Sequence, residues 1–204
     1  MSGNDHSSSL SWLYASLKPA THSDGTSDAE QRNLVVSWHS TLLKSNLGRY
    51  VGKMNLSRFT ALWTHPDYSP DPVSKVELES AEDRLDTRLP ADYRAAVLEV
   101  GLPRPTIALL DAIVDRELDL RDVSEFLSPV EIVSVTEDWR DLGLPEELVA
   151  FATDCMGNLF CFPTTADAGA SVPVVFFDHD DRTVDVIAPS FTRWIEELCR
   201  VAPN

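Results

Sequence analysis

The densest group of side chains able to do chemistry lies near the C-terminus, where the chain carries Asp178, His179, Asp180 and Asp181. Carboxylates and an imidazole are ligands for metal ions and groups that transfer protons in catalysis. The spacing argues against both roles, because neighbouring side chains at a turn diverge and the Gly and distant Glu of a calcium loop are missing. A solvated hairpin turn is the favoured interpretation, and a metal-dependent enzyme centred on His179 is the less favoured alternative.

Recognised catalytic and cofactor motifs are missing from the rest of the sequence. It contains no Gly-rich phosphate loop, no Ser nucleophile elbow and no zinc helix with paired histidines. Three cysteines, Cys155, Cys161 and Cys199, cannot all pair, and the first two are too widely spaced for a redox motif. We expect Cys155 and Cys161 to be buried and structural. We therefore predict no catalytic residue, no metal, no cofactor and no enzymatic activity.

Acidic side chains are concentrated in the second part of the chain. The net charge is −16; residues 1–75 carry seven Lys or Arg against six Asp or Glu, whereas residues 76–204 carry ten against twenty-seven. A field of this sign repels the phosphates of nucleic acid and attracts cationic partners. The expected partner is therefore a protein with a basic surface, and not nucleic acid.

Export and membrane signals are also missing. No apolar run approaches the roughly 20 residues that cross a bilayer, and the opening MSGNDHSSS lacks the basic and then apolar order of a secretion signal. Free thiols fit a reducing compartment. These features predict a cytoplasmic protein that does not bind membranes.

The hydrophobic pattern divides the chain into three segments. A Ser-rich opening is followed by three helical patterns, the last of which, SRFTALW, ends before a proline-rich linker. Ser74 and Glu77 then form a capping-box pattern. The predicted segments are a flexible tail at residues 1–8, an N-terminal helical extension at residues 9–72 and a domain at residues 73–204.

The domain opens with two predicted helices. In the first, the expected core contacts are Val76, Ala81 and Leu85. In the second, Tyr93, Val97 and Val100 share one face, and Gly101 is placed to end the helix.

Helical and strand patterns mix in the remainder of the domain. Residues 106–120 are predicted as a helix, residues 130–136 (VEIVSVT) as a strand because of their branched side chains, and residues 144–154 as a helix that begins with Pro145. Strands are predicted in DCMGNLFCFP, PVVFFD and TVDVIA, and Ser190 begins a last helix. This order predicts an α+β fold with a mixed or antiparallel β-sheet packed by helices.

Three groups of acidic residues are candidates for contact with a basic partner. Asp111, Asp115, Asp119 and Asp122 fall four or fewer positions apart and would share one face of the predicted helix at residues 106–120. A solvated helix surface is the alternative interpretation of that face. The predicted partner-binding residues are Asp111, Asp115, Asp119, Glu137, Asp138, Asp141, Asp178, Asp180 and Asp181.

The order of motifs from residue 74 to residue 200 resembles the SUKH superfamily. The segment ESAEDRLDTRLPADYRAAVLEVG is similar to its opening, with Glu82, Leu89, Pro90, Asp92 and Tyr93 at the matching positions. LPEELVAFATDCMGNLFCF is similar to the approach to its Gly-polar turn, and VVFFDHDD with APSFTRWIEEL to its last hairpin and closing helix. The chain departs from the family where Gly101, Leu102 and Pro103 replace Asn-Gly-Gly.

The resemblance implies a mixed sheet packed by helices, with no catalytic residues. Its bacterial members are immunity proteins, and a fungal member regulates cell-wall synthesis. We therefore expect an immunity protein that occludes a cognate protein toxin with a basic, nuclease-like surface. A regulatory scaffold of the fungal type is the alternative, and the oligomeric state stays open.

Overall fold

The computed structural model describes residues 55–164 and 172–203 of the chain. Its centre is an antiparallel sheet of the strands β1 (Glu125–Phe126), β2 (Leu148–Thr153), β3 (Leu159–Pro163), β4 (Val174–Asp178) and β5 (Thr183–Ala188). Each strand pairs with the next along the sequence, in the order β1-β2-β3-β4-β5. Tight turns join β2 to β3 and β4 to β5, and helices flank the sheet, so the predicted α+β fold is confirmed.

Both faces of the central strands are buried. Strands β2, β3 and β4 are apolar runs, buried at every residue except the last, as expected where helices cover both faces of a sheet. On one face, Phe160 packs on Trp194 with 4.8 Å between ring centroids. On the other, Phe177 packs edge-on against Trp139. Strand β5 forms an edge of the sheet and is largely exposed.

Helices flank the sheet on both sides. The one that includes Trp139 packs on β2 and on the first helix of the domain, whereas the C-terminal helix packs on β5. The described helices are α1 (residues 55–63), α2 (Lys75–Arg84), α3 (Ala91–Val100), α4 (Ala108–Asp115), α5 (Pro129–Leu142) and α6 (Phe191–Leu198).

The predicted start of α2 is confirmed. The Ser74 hydroxyl accepts the backbone N–H of Glu77 at 3.2 Å, and the Glu77 carboxylate accepts that of Ser74 at 2.8 Å. Ala81 and Leu85 are buried as predicted, but the prediction for Val76 is wrong, because Val76 is exposed. Leu78 takes its place, since it lies on the helical stripe of the other two residues.

The predicted end of α3 is also confirmed. Tyr93 and Val97 are fully buried, and Gly101 has φ +88. A β-carbon at Gly101 would stand 2.6 Å from the Asp71 carbonyl oxygen, so both the backbone conformation and the close approach require glycine. The two segments pair there through reciprocal backbone hydrogen bonds between Asp71 and Leu102.

The strand predicted at residues 130–136 is wrong, because this segment lies within α5. Ser128 and Glu131 form a capping box, Pro129 occupies the first turn, and Gly143 ends the helix in the left-handed region. These signals at the two ends outweigh the β preference of the branched residues between them.

The helix predicted at residues 144–154 is wrong as well, since residues 148–153 form β2. Pro145 and the two glutamates that follow it belong to the connection. The apolar run LVAFA is buried at every position, which suits a central strand between β1 and β3.

The helix predicted at residues 106–120 is too long. Helix α4 ends at Asp115, and Glu117 has φ +52, which breaks the helical path. Asp119 and Asp122 therefore lie beyond the helix and do not share a helical face with Asp111.

The N-terminal predictions fall mostly on residues 1–54, which lie outside the described part of the chain. Helix α1, from the end of the predicted extension, contributes the fully buried side chains of Leu56 and Phe59 to the core. Trp63 is also buried and donates its indole N–H to the Leu198 carbonyl at 3.3 Å. Among the described residues, no helix is both long and apolar enough to cross a bilayer.

Candidate functional site

Two tight turns lie side by side at one end of the sheet. The first connects β2 to β3 and holds Asp154, whose carboxylate accepts the backbone N–H groups of Met156 and Asn158 at 2.9 and 2.8 Å. The second connects β4 to β5, where Asp178 Oδ1 accepts the N–H groups of Asp180 and Asp181 at 3.0 and 3.2 Å. In both turns an aspartate side chain satisfies the backbone, which fixes the turn before any partner arrives.

A side-chain network links the two turns. Asn158 donates its amide N–H to Asp154 at 2.9 Å, so its oxygen faces the second turn. That oxygen accepts the backbone N–H of His179 at 3.2 Å and lies 2.8 Å from His179 Nδ1. Since an amide oxygen only accepts, Nδ1 carries a proton in this arrangement.

The C-terminal turn of α5 lies against the second turn. The Trp139 ring meets the His179 imidazole edge-on with 5.3 Å between centroids. The Arg182 side chain passes Gly143, with its Nε 3.7 Å from where a β-carbon would stand. Acidic residues in the C-terminal part of α5 and in the β4–β5 turn therefore lie at the same end of the sheet. We call the following exposed residues the turn-end surface: Asp138, Asp141, Leu142, Met156, Asp180 and Asp181.

The side chains of the turn-end surface do little for the fold. Asp138, Asp141 and Asp181 form no hydrogen bond or ion pair through their carboxylates with any described residue. Leu142 and Met156 are 61% and 70% exposed. Exposed acidic groups together with a few exposed apolar side chains are typical of the composition of a polar protein–protein interface.

The structure separates the nine predicted residues into distinct places. Asp178, Asp180 and Asp181 lie in the β4–β5 turn, at the end of the sheet where the part of α5 that carries Asp138 and Asp141 also packs. Glu137 faces α2 and receives two hydrogen bonds from Arg84, at 3.1 and 3.2 Å. The remaining three residues lie apart from these. Asp111 and Asp115 are on α4, and Asp119 lines a pocket together with Trp194 and Glu197 of α6.

Asp122 and Cys155 lie beside the β2–β3 turn, next to the turn-end surface and close to β1. Asp122 accepts the backbone N–H of Cys155 at 3.2 Å, with the thiol 3.6 Å away. Burial, helped by the charge of Asp154, raises the pKa of Asp122. Although Cys155 is an exposed residue, desolvation of its thiol beside the turn and the nearby Asp122 carboxylate raise the pKa of that thiol.

The cysteine prediction is confirmed for Cys161 and wrong for Cys155. Cys161 is buried in β3, and burial raises the pKa of its thiol. Cys155 is exposed, because it follows the end of β2 and enters the turn. Sequence reasoning also missed Leu142 and Met156, since neither position carries a signal that distinguishes an exposed apolar residue from a core residue.

His179 lies in the β4–β5 turn, and its ring is engaged by Asn158 and Trp139. Its Nε2 lies 3.5 Å from Asp180. Across residues 55–164 and 172–203, no cluster of three or more His, Cys, Asp or Glu side chains has the arrangement to hold a metal ion.

A second charged cluster is buried beneath the loop between α2 and α3. Glu82 is 1% exposed, and its carboxylate accepts the backbone N–H of Leu89 at 2.9 Å and a hydrogen bond from Arg94. Arg88 approaches the same carboxylate at 3.5 Å. The charge is thus paired and hydrogen-bonded, which is the condition under which a buried carboxylate is tolerated.

Comparison with known families gives one match. The model of the SMI1/KNR4 family (SUKH-1) matches residues 72–197, which is more than half of the chain. No curated protein matches the chain. The matched range begins just before α2 and ends within α6, so it contains the sheet, both turns and the buried Glu82 cluster.

Proposed function

Because the chain belongs to the SMI1/KNR4 family (SUKH-1), we propose that it is an immunity protein that binds and neutralises a cognate protein toxin. The mechanism is occlusion: the protein covers the working surface of the toxin and transforms nothing itself. The toxin would meet it in the cytoplasm.

The observation that carries the proposal is the exposed, unpaired acid of the turn-end surface. Asp138, Asp141 and Asp181 have no partner among the described residues, although paired and hydrogen-bonded carboxylates are common elsewhere in the domain. Like charges held close together repel one another, so they weaken the isolated fold slightly and gain from a cationic partner. Their position therefore favours binding over stability.

Electrostatic attraction would set the rate of encounter with the toxin. A toxin that acts on nucleic acid carries a basic surface, and acidic side chains would occupy it as the phosphates do. Leu142 and Met156 would supply the apolar contacts at the centre, where most of the affinity of an interface arises. The Asp154, Asn158 and His179 network holds this surface in shape before binding, which reduces the entropic cost of association.

A pulldown from the source organism, with the full chain as bait, tests the proposal. Three baits are compared at low and high salt: the wild type, the variant D138N/D141N/D181N and the matched control D111N/E117Q/D119N. The control removes the same charge from the α4 segment. We expect one basic toxin domain to be retained by the wild type and the control, and to be lost from the turn-end variant.

The retained protein is then assayed for toxic activity with and without the chain. Complete inhibition at equal concentrations supports immunity. Retention of several cell-wall or signalling proteins, with no toxin among them, would replace the proposal with a regulatory scaffold of the fungal type. Equal loss of the toxin from both variants would mean that net charge, and not the turn-end surface, carries the binding.

A further inference from the structure

An open groove of about 430 Å³ lies between α2 and α5, away from the turns. Both helices line it with residues from successive turns: Val76, Ser80 and Arg84 on α2, and Val130, Ser134 and Glu137 on α5. Residues spaced in this way share one face of a helix. The two helices therefore form the walls of one continuous groove.

The lining changes in character along the groove. Its first end, at the beginning of both helices, carries the apolar side chains of Val76 and Val130. Two serines follow, and the Arg84–Glu137 ion pair closes the other end at 3.1 Å. Arg84 lies eight positions after Val76 in α2, so the groove is about 12 Å long, or roughly two turns of a helix.

The two valines at the apolar end have no role in the core. Val76 is 74% exposed and Val130 is 75% exposed, although each lies in a helix whose opposite side is buried. Branched residues are weaker helix formers than Lys or Glu, so helix propensity does not favour them on a solvated face. Single exposed apolar residues are common, but two that line one groove form a patch suited to another apolar surface.

Charge around the groove limits what this surface can bind. Apart from the buried Glu82 and the turn-end surface, five acidic residues on these two helices face three basic ones, Lys75, Arg84 and Arg140; the five are Glu77, Glu79, Asp83, Glu131 and Glu137. Hydrogen bonding with the side chain and backbone of Ser74 lowers the pKa of Glu77, so this carboxylate at the apolar end stays charged. The surface thus combines an apolar groove with an acidic rim.

We propose that the α2–α5 groove docks a basic amphipathic helix of a protein partner. One apolar side chain of that helix lies between Val76 and Val130, and its Lys or Arg side chains face the acidic rim. The proposal does not depend on the turn-end surface, because it uses different residues and the toxin is not required for its test.

Binding of a synthetic peptide tests the proposal directly. The probe is a fluorescent peptide of about 15 residues, with leucines three and four positions apart and lysines on the remaining faces, a length at which an isolated helix is marginal. Anisotropy is measured with the full chain in wild type, in V76Q/V130Q and in the matched control V114Q/V186Q, whose two valines are also exposed. A second peptide replaces each lysine with glutamate.

We expect the basic peptide to bind the wild type and the control within about twofold of each other, and V76Q/V130Q about tenfold more weakly. Affinity should also fall as salt is added. Any one of three results would overturn the proposal: no saturable binding, equal binding by V76Q/V130Q, or equal binding of the glutamate peptide. Self-association of the wild type that is lost in V76Q/V130Q would assign the groove to a second copy of the chain instead.

Discussion

The buried Glu82 cluster and the turn-end surface place the same chemical group in opposite situations. Glu82 accepts hydrogen bonds from Leu89 N–H and Arg94 and is approached by Arg88, so little of its carboxylate is left for another molecule. Asp138 and Asp181 face solvent with no described partner. Burial thus separates acid that stabilises the fold from acid that is available for binding, although both contribute equally to the net charge.

The difference gives the two regions opposite sensitivities. Removing a satisfied buried charge leaves its partners unpaired in a poorly solvated place, whereas removing an exposed charge leaves nothing unsatisfied. We therefore expect substitutions in the Glu82 cluster to change stability and those at the turn-end surface to change association. The following predictions run from the largest expected effect to the smallest.

Glu82→Ala should cause the largest loss of stability. The change leaves Arg94, which is mostly buried, without its carboxylate and the Leu89 N–H without its acceptor. We expect the free energy of unfolding to fall by about 3 kcal/mol, which is at the lower end for breaking a buried ion pair. The loss is moderated because Arg88, the second cation beside Glu82, is partly exposed and keeps its contact with water. Urea unfolding followed by tryptophan fluorescence measures this change.

Glu79→Ala is the matched control on the same helix. Glu79 is only half-buried, with 44% of its side chain exposed, and it pairs with Lys75 at 3.0 Å in an i,i+4 arrangement, so its loss should cost about 0.3 to 0.5 kcal/mol. If the free energy of unfolding falls by the same amount in Glu82→Ala and Glu79→Ala, burial does not distinguish acids that stabilise the fold from acids that are available for binding.

Asp92→Ala should have the next largest effect. Asp92 Oδ2 accepts the Thr192 N–H at 2.9 Å and the Thr192 hydroxyl at 3.0 Å, and thereby joins the first turn of α3 to the first turn of α6. The loss of two hydrogen bonds to a charged acceptor should cost about 2 kcal/mol. Asp92→Asn keeps an acceptor and should recover part of this loss; an equal loss in both variants would show that negative charge, and not the hydrogen bonds, matters.

Residues with local signals could be predicted from the sequence with good accuracy. The capping box at Ser74, the end of α3 at Gly101 and the cap of α6 at Ser190 are each specified by a few neighbouring residues, and the structure confirms all three. The predictions for α5 and β2 are wrong in opposite directions, a strand for the helix and a helix for the strand, because the type of each element depends on its tertiary surroundings. Branched residues in α5 suggested a strand, and the uniformly buried run of β2 has no period that identifies it.

The candidate site was predictable in composition but not in arrangement. Acidic residues in the β4–β5 turn and near the end of α5 are visible in the sequence, about 40 positions apart. Their shared location depends on the contact between Trp139 and His179 and on the path of Arg182 past Gly143, which are tertiary contacts without a sequence pattern. For Asp119 the sequence predicts a shared helical face that the structure does not contain. Glu117, which follows the end of α4 at Asp115, has a positive φ and turns the chain away from the helix, so Asp119 leaves that face.

D138N/D141N/D181N should change association and leave stability almost unaltered. None of the three carboxylates has a described partner, so the free energy of unfolding should stay within about 0.5 kcal/mol of the wild type. Loss of three charges from an electrostatically steered surface should slow association with the basic partner about tenfold at low salt. Stopped-flow kinetics with the protein retained in the pulldown measures the rate.

Salt provides the internal control for that experiment. Screening should reduce the wild-type rate towards that of the variant and have little effect on the variant itself. A variant that loses affinity through faster dissociation at every salt concentration would contradict steering, and would instead place these carboxylates in direct, desolvated contacts.

Asp122→Asn should produce the smallest effect and tests an acid that is intermediate between the two classes. Asp122 is partly buried, and its carboxylate is one cause of the raised pKa of the Cys155 thiol. A neutral amide no longer opposes the thiolate, so the pKa should fall and Cys155 should react a few times faster with iodoacetamide at pH 8, since the thiolate is the nucleophile. Mass spectrometry of the labelled chain, with the buried Cys161 as the unreactive reference, measures the rate at each site. An unchanged rate at Cys155 would mean that desolvation and the charge of Asp154 raise its pKa without Asp122, and Asp122 would then be an acid that only shapes the turn.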